Sequence, residues 1–156
     1  MDAEFNSPPP PPVLMHIQEY ILTETEKAYL AGLIDGEGTI TLTISNKGQM
    51  PQPQLFISNT NLGVLEWVKQ KLGCESIIKK NPRKPNHKVS YAWQINRAGK
   101  VMFVLSEIKD YLIIKKSQAL LILDEYKKVT PRNGKYSKEM LNKKIALVNK
   151  IKSLNL

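Results

Sequence analysis

Cysteine occurs once in this 156-residue chain, at Cys74, and histidine twice, at His16 and His87. One cysteine excludes an internal disulfide and a cysteine-based zinc cluster, and it fits a reducing, intracellular compartment. Both histidines fall in or near expected loops, so neither is a good candidate for a catalytic base. Cys74 follows a helix-stopping glycine and reads as a small core residue rather than a nucleophile. Long apolar runs are also missing. The stretches 102–105 and 119–123 are among the longest, far below the roughly 20 residues that span a bilayer. The start, Met1-Asp2-Ala3-Glu4, has no basic segment leading into an apolar one, so no secretory signal is visible.

Basic residues are absent from one part of the chain and crowded in the rest. Residues 1–26 hold five acids and no Lys or Arg, which leaves all 23 basic residues and 9 acids for 27–156, a net of +14. A domain of that charge attracts polyanions, and nucleic acid is the expected partner because neutralised phosphates release counterions. Proline is concentrated too. The run Pro8 to Pro12 favours an extended conformation without a core. Residues 1–15 are therefore expected to be a tail before one domain at 16–156, a length that can bury its own core.

Hydrophobic spacing predicts the elements of that domain. Residues 25–36 read as a helix that Thr23 or Thr25 can cap, with Tyr29, Leu30, Leu33 and Ile34 on one apolar face. Ala28, Gly32 and Gly36 fall on a different face. Glycine costs a helix about 1 kcal/mol, and close approach of a second helix would explain two of them. Residues 39–45 alternate strictly, Asn46-Lys47-Gly48 is turn chemistry, and 55–58 continues as the partner strand. A helix capped by Asn61 follows, with Leu65, Val68 and Leu72 buried and Gly73 ending it. A second hairpin is expected at 75–80 and 88–95 around a basic, proline-stiffened loop. Val101, Val104, Leu105 and Ile108 mark another helix, and 117–129 a further one. Ser137 caps the last, whose stripe is Leu141, Ile145, Val148 and Ile151. The predicted class is α+β, in the order αββαββα with added helices, a four-stranded antiparallel sheet carrying helices on one face.

The stretch Leu30-Ala31-Gly32-Leu33-Ile34-Asp35-Gly36-Glu37-Gly38 resembles the LAGLIDADG motif at seven of nine positions, with Gly36 and Glu37 as the departures. The likeness continues through the hydroxyl-rich strand, Ile57-Ser58-Asn59 and Tyr111-Leu112-Ile113-Ile114-Lys115-Lys116, covering about residues 23–130. The chain thus resembles the LAGLIDADG homing endonucleases, in their single-motif, homodimeric branch. That resemblance implies an enzyme that cuts a long, pseudo-palindromic double-stranded DNA site, with divalent cations such as Mg²⁺ and a second identical subunit.

The chemistry of the motif agrees. Glu37 ends a helix whose dipole is already negative there. If Ala28, Gly32 and Gly36 pack against the same helix of a second subunit, two Glu37 carboxylates meet, which favours a cation between them. Hard divalent ions take oxygen ligands of this kind and can activate water at a phosphate. The resemblance implies a metal role for Glu37 and the Gly36 carbonyl, and a structural role for Asp35 at the paired helix ends. It implies a catalytic lysine at Lys115, with Lys116 as the neighbouring option, and a water-positioning polar group at Asn59 or Asn61. The arginine of some relatives falls near Gly63, so that contact is missing or supplied elsewhere.

In relatives the sheet enters the major groove, where base edges are distinguishable. The resemblance places Thr39, Thr41, Thr43, Ser45, Lys47, Gln52, Gln54 and Phe56 on that face. Lys79, Lys80, Arg83, Lys84 and Lys88 are expected to meet DNA, chiefly its phosphates, which position rather than specify. Tyr91 and Lys116 complete the expected DNA-binding set, although Tyr91 shares a face with Trp93 that could equally be core. Two binding-only alternatives stand beside the nuclease: a maturase that binds intron RNA, and a non-cleaving DNA-binding protein. An organellar or microbial intron is the expected host.

Overall fold

In the computed structural model, residues 22–73 and 76–155 are described, and the proline-rich segment, His16 and Cys74 lie outside them. Thr23 opens the first helix, α1 (Glu24–Glu37), through a capping box: its hydroxyl accepts from Glu26 N–H, and the Glu26 carboxylate accepts from Thr23 N–H. Leu30, Ala31 and Ile34 are its buried residues, while Tyr29 is 53% exposed and meets Trp67 edge to face at 4.9 Å. The buried stripe is therefore rotated away from Tyr29, toward Ala31. Gly38 joins α1 to the sheet. A Cβ there would lie 2.8 Å from the backbone of Ile34, so only glycine lets the strand leave the helix this closely.

Four antiparallel strands follow in two hairpins: β1 (Gly38–Thr43), β2 (Gln52–Asn59), β3 (Ile77–Lys80) and β4 (Ser90–Ile95), in the sheet order β1-β2-β4-β3. The register pairs Ile40 with Leu55, and Ile57 with Trp93, so these fully buried side chains share one face. Strand β1 ends at Thr43, one pleat short of its expected length. Ile44 thus lies beyond the ladder and is 53% exposed. Helix α2 (Leu62–Leu72) runs between Asn61, which caps it, and Gly73, with Leu65, Val68 and Leu72 buried.

Three helices complete the chain: α3 (Ala98–Ile108), α4 (Lys116–Glu125) and α5 (Lys138–Leu154). The expected helix over 117–129 is interrupted at Tyr126, after which Lys127–Val129 forms a tighter 3₁₀ turn. Helices α1, α2 and α3 pack on the buried face of β2, and α5 runs against β1, where Asn155 Nδ2 donates to the Ile40 carbonyl at 3.0 Å. The α5 stripe differs from expectation. Lys144, Leu147 and Ile151 are buried, whereas Leu141 and Ile145 are exposed. An apolar pattern alone missed this because Lys144, 1% exposed, buries its long aliphatic stem and finds polar partners inside.

Candidate active site and nucleic-acid face

The motif carboxylates Asp35 and Glu37 stand two residues apart and do different things. Asp35 reaches the turn before α4, where Oδ2 accepts the Ile113 N–H at 2.7 Å and Oδ1 accepts the Lys115 N–H at 2.9 Å. Helix α4 has no capping side chain of its own. A helix start leaves N–H groups unpaired and carries partial positive charge. Asp35, 80 residues earlier, supplies both the acceptor and the opposite charge. Burial pushes the Asp35 pKa upward, but the N–H groups of Ile113, Lys115 and Ile114, with the Lys115 charge, outweigh it and hold the carboxyl below its ordinary value. The polar contacts expected of Asp35 are thus made within one chain.

The same turn fixes Lys115. Its Nζ donates to the Asp35 carbonyl at 2.5 Å, which sets the ammonium at the negative end of α1. A polar recess of about 340 Å³ opens there, bounded by Gly38, Thr39, Ile114, Lys115, Gln118, Leu154 and Asn155. Gln118 Nε2 donates to the Leu154 carbonyl at 3.0 Å and to Asn155 Oδ1 at 3.2 Å, so the end of α5 forms one wall. These wall residues were missed, because nothing local in the sequence links 118 to 155. Lys116 is half-buried as the first residue of α4.

Glu37 is exposed, and its carboxylate has no hydrogen-bond or ion-pair partner among the described residues. Ala28, Gly32 and Gly36 are exposed too, and an added Cβ at either glycine would meet nothing within 4 Å. Ile113 and Ile114, against the same helix end, are 85% and 71% exposed. Asn59 ends β2 on the buried face, and its Oδ1 accepts from Asn61 N–H at 2.8 Å. Asn61 Oδ1 in turn accepts from Val64 N–H at 3.3 Å, so Asn61 is engaged as the α2 cap.

No three His, Cys, Asp or Glu side chains converge among the described residues. The carboxylate of Glu37 and the last-turn carbonyl of Gly36 are nevertheless hard oxygen donors, which suit a divalent cation once further ligands are added.

The face of the sheet away from the core carries the pairs Thr39–Phe56, Thr41–Gln54 and Thr43–Gln52. Gln54 is 5% exposed, and its amide donates to the Ser45 hydroxyl. Ile78 and Lys80 continue this face on β3. Lys79 and Tyr91 pair with each other on the opposite, covered face, and Tyr91 packs against the core beside Trp93. Tyr91 therefore does not join the open face, because the pleat fixes its side by that of Trp93. Lys47, Arg83, Lys84 and Lys88 are exposed on the two hairpin connections.

The family model for the LAGLIDADG-like domain matches residues 24–127. The chain belongs to the LAGLIDADG family. Its fold is that of the LAGLIDADG homing endonucleases. The homing endonuclease I-CvuI, solved with the I-CreI target in 2 mM Mg and uncleaved DNA, aligns at TM-score 0.66 and 23% identity over 83% of this chain and 82% of its own. The archaeal intron-encoded I-Vdi141I, complexed with DNA, aligns at TM-score 0.66 and 23% identity over 83% and 84%. The LAGLIDADG meganuclease I-AabMI, bound to uncleaved DNA, aligns at TM-score 0.58 and 22% identity over 78% of this chain but 43% of its own. No curated protein matches the sequence. Among the described residues no helix is long and apolar enough to cross a membrane.

Proposed function

We propose that two copies of this LAGLIDADG chain form a twofold endonuclease that cuts both strands of a long, nearly palindromic DNA site. One observation carries the reading: Asp35 locks the turn that places the Lys115 ammonium at the end of α1, the helix that Glu37 terminates. A lysine held there is suited to polarise a phosphate or the attacking water. The open Ala28, Gly32 and Gly36 surface, flanked by Ile113 and Ile114, favours a second copy as its cover. A closed twofold contact of this kind brings two Glu37 carboxylates together and implies a pseudo-palindromic target.

Among the described residues one chain offers a single free carboxylate at this end, so the paired Glu37 and Gly36 groups would hold the divalent cations, Mg²⁺ foremost. Bound there, the cations would stabilise charge on the phosphate and lower the pKa of water. Asn59, at the end of β2, is the candidate for positioning that water. The open β1–β2 face, with its threonines and Gln52, would read base edges, and Lys80, Arg83, Lys84 and Lys88 would hold phosphates. Such an enzyme belongs in an intracellular setting, encoded by an organellar or microbial intron.

Cleavage of a randomised-site duplex library, with Mg²⁺ and with EDTA in parallel, tests the proposal. Metal-dependent cutting at one long, nearly palindromic sequence is the expected result. Binding without cutting in any divalent metal would remove the catalytic assignment.

A further inference from the structure

Gln118 is the third residue of α4, where a glutamine ordinarily reaches back to the N–H of the residue before its helix. That N–H belongs to Lys115, and Asp35 Oδ1 already accepts it at 2.9 Å. Gln118 is thereby released for partners outside its own helix. Its side chain is 4% exposed, and Nε2 donates to the Leu154 carbonyl at 3.0 Å and to Asn155 Oδ1 at 3.2 Å. Asn155 ends α5, beyond the residues that the family model matches, and its own N–H donates to the Lys152 carbonyl at 3.1 Å.

The nitrogen of the same amide reaches the sheet. Strand β1 lies at the sheet edge, where backbone groups on one side lack a ladder partner. Asn155 Nδ2 donates to the Ile40 carbonyl of that strand at 3.0 Å. One side chain therefore clasps α4 to β1, its oxygen on Gln118 and its nitrogen on Ile40. The contacts close a ring. From Lys115 it runs through Gln118 and Asn155 to β1, then through Gly38 to α1, and back by Asp35 to Lys115. Members of the ring border the polar recess of about 340 Å³, as does Thr39, the first threonine of the open sheet face.

We infer that Gln118 and Asn155 are positioning residues for cleavage, whose clasp fixes how far the Lys115 ammonium stands from the open sheet face. The inference rests on the nuclease reading above. It gives the end of α5 a part in the speed of cutting rather than in the grip on DNA. Asp35 ties the turn before α4 to α1 alone, which leaves the start of α4 free to tilt about that attachment. A second attachment three residues on, at Gln118, removes the tilt. The rate supplied by an oriented group falls steeply with misplacement, about 100-fold for about 1 Å. Affinity is spread over the sheet and the hairpin connections, so it does not depend on the clasp.

The test uses the full chain and the duplex selected from the library. Cleavage is followed over a single turnover with Mg²⁺ at saturating protein, and affinity is measured in EDTA. Asn155→Ala removes both bonds of its amide, and Gln118→Met keeps the side-chain length but cannot donate to α5. Each should slow the cleavage rate constant by about 10- to 100-fold. Reaction amplitude and affinity should stay those of the unmodified protein. The double variant should be no slower than the slower single one, because both changes break one clasp. Destabilisation alone would lower the amplitude and leave the rate constant in place. Unchanged rate constants in both single variants would overturn the inference. A fall in affinity that matches the fall in rate would also overturn it, by making the two amides DNA contacts. If Asn155→Ala fails to fold, Gln118→Met decides by the same readouts. An unmodified protein that cuts no duplex would defeat the nuclease reading and the inference with it, whereas variants that cut normally defeat the inference alone.

Discussion

The two sides of α1 are built from the same nine-residue motif and have opposite fates. On the inner side Leu30, Ala31 and Ile34 are fully buried, and Asp35 is bound to the 113–115 turn. On the outer side Ala28, Gly32, Gly36 and Glu37 are exposed, and the two glycines leave open space around them. The inner side is complete within one chain. The outer side makes physical sense only with something against it, because glycine in a helix weakens it without return unless a close contact uses the gap. Folding and the proposed function are thus separated by a rotation around a single helix.

That separation can be attacked from the active-site end first. Glu37→Gln should remove detectable cleavage, a loss beyond the roughly 100-fold that outer-shell partners of a metal site cost. Thermal unfolding should stay where it was, since Glu37 has no partner among the described residues. A variant that still cuts would dismiss Glu37 from the chemistry.

Asp35→Asn should behave in the reverse way, through the fold. Replacing one acceptor oxygen by an amide leaves a backbone N–H of the turn unpaired, at about 1–3 kcal/mol in denaturant unfolding. The Asp35 pKa is lowered from an ordinary 3.8, so its stabilisation is fully present above that value and fades as pH falls through the folded pKa. The stability gap between the unmodified protein and Asp35→Asn should therefore be constant near neutrality and close below about pH 4. A gap unchanged at pH 3 would show that the carboxylate charge is not what holds the turn.

The smallest effect on the chain itself is expected from Gly32→Leu. On an open helix surface it should raise monomer stability by no more than about 1 kcal/mol, the helix cost of the glycine it removes. The mass in solution should nevertheless fall from dimer to monomer, because the leucine occupies the space a second helix needs. A dimer that survives the change would show that the outer side is not the subunit contact.

Much of this was legible along the chain. Thr23 with Glu26, Asn61 before Leu65, and Ser137 before α5 announce helix starts through contacts three residues apart. The motif itself placed Glu37 at the end of α1. The side occupied by Tyr91 was not legible, because alternation says which residues share a face but not which face is covered. The burial of Lys144 was equally hidden, since its partners Thr130 and Tyr136 come from a separate loop.

The division follows from range. Caps, turns and strand alternation depend on neighbours within a few residues, so the sequence by itself determined the order of elements and the family motif. The bond from Lys115 to Asp35 spans 80 residues, and that from Asn155 to Ile40 spans 115. Only packing of the helices against the sheet brings those groups within hydrogen-bond distance. Tertiary structure therefore decided that one motif acid is consumed by the fold while the side chain of the other has no partner among the described residues.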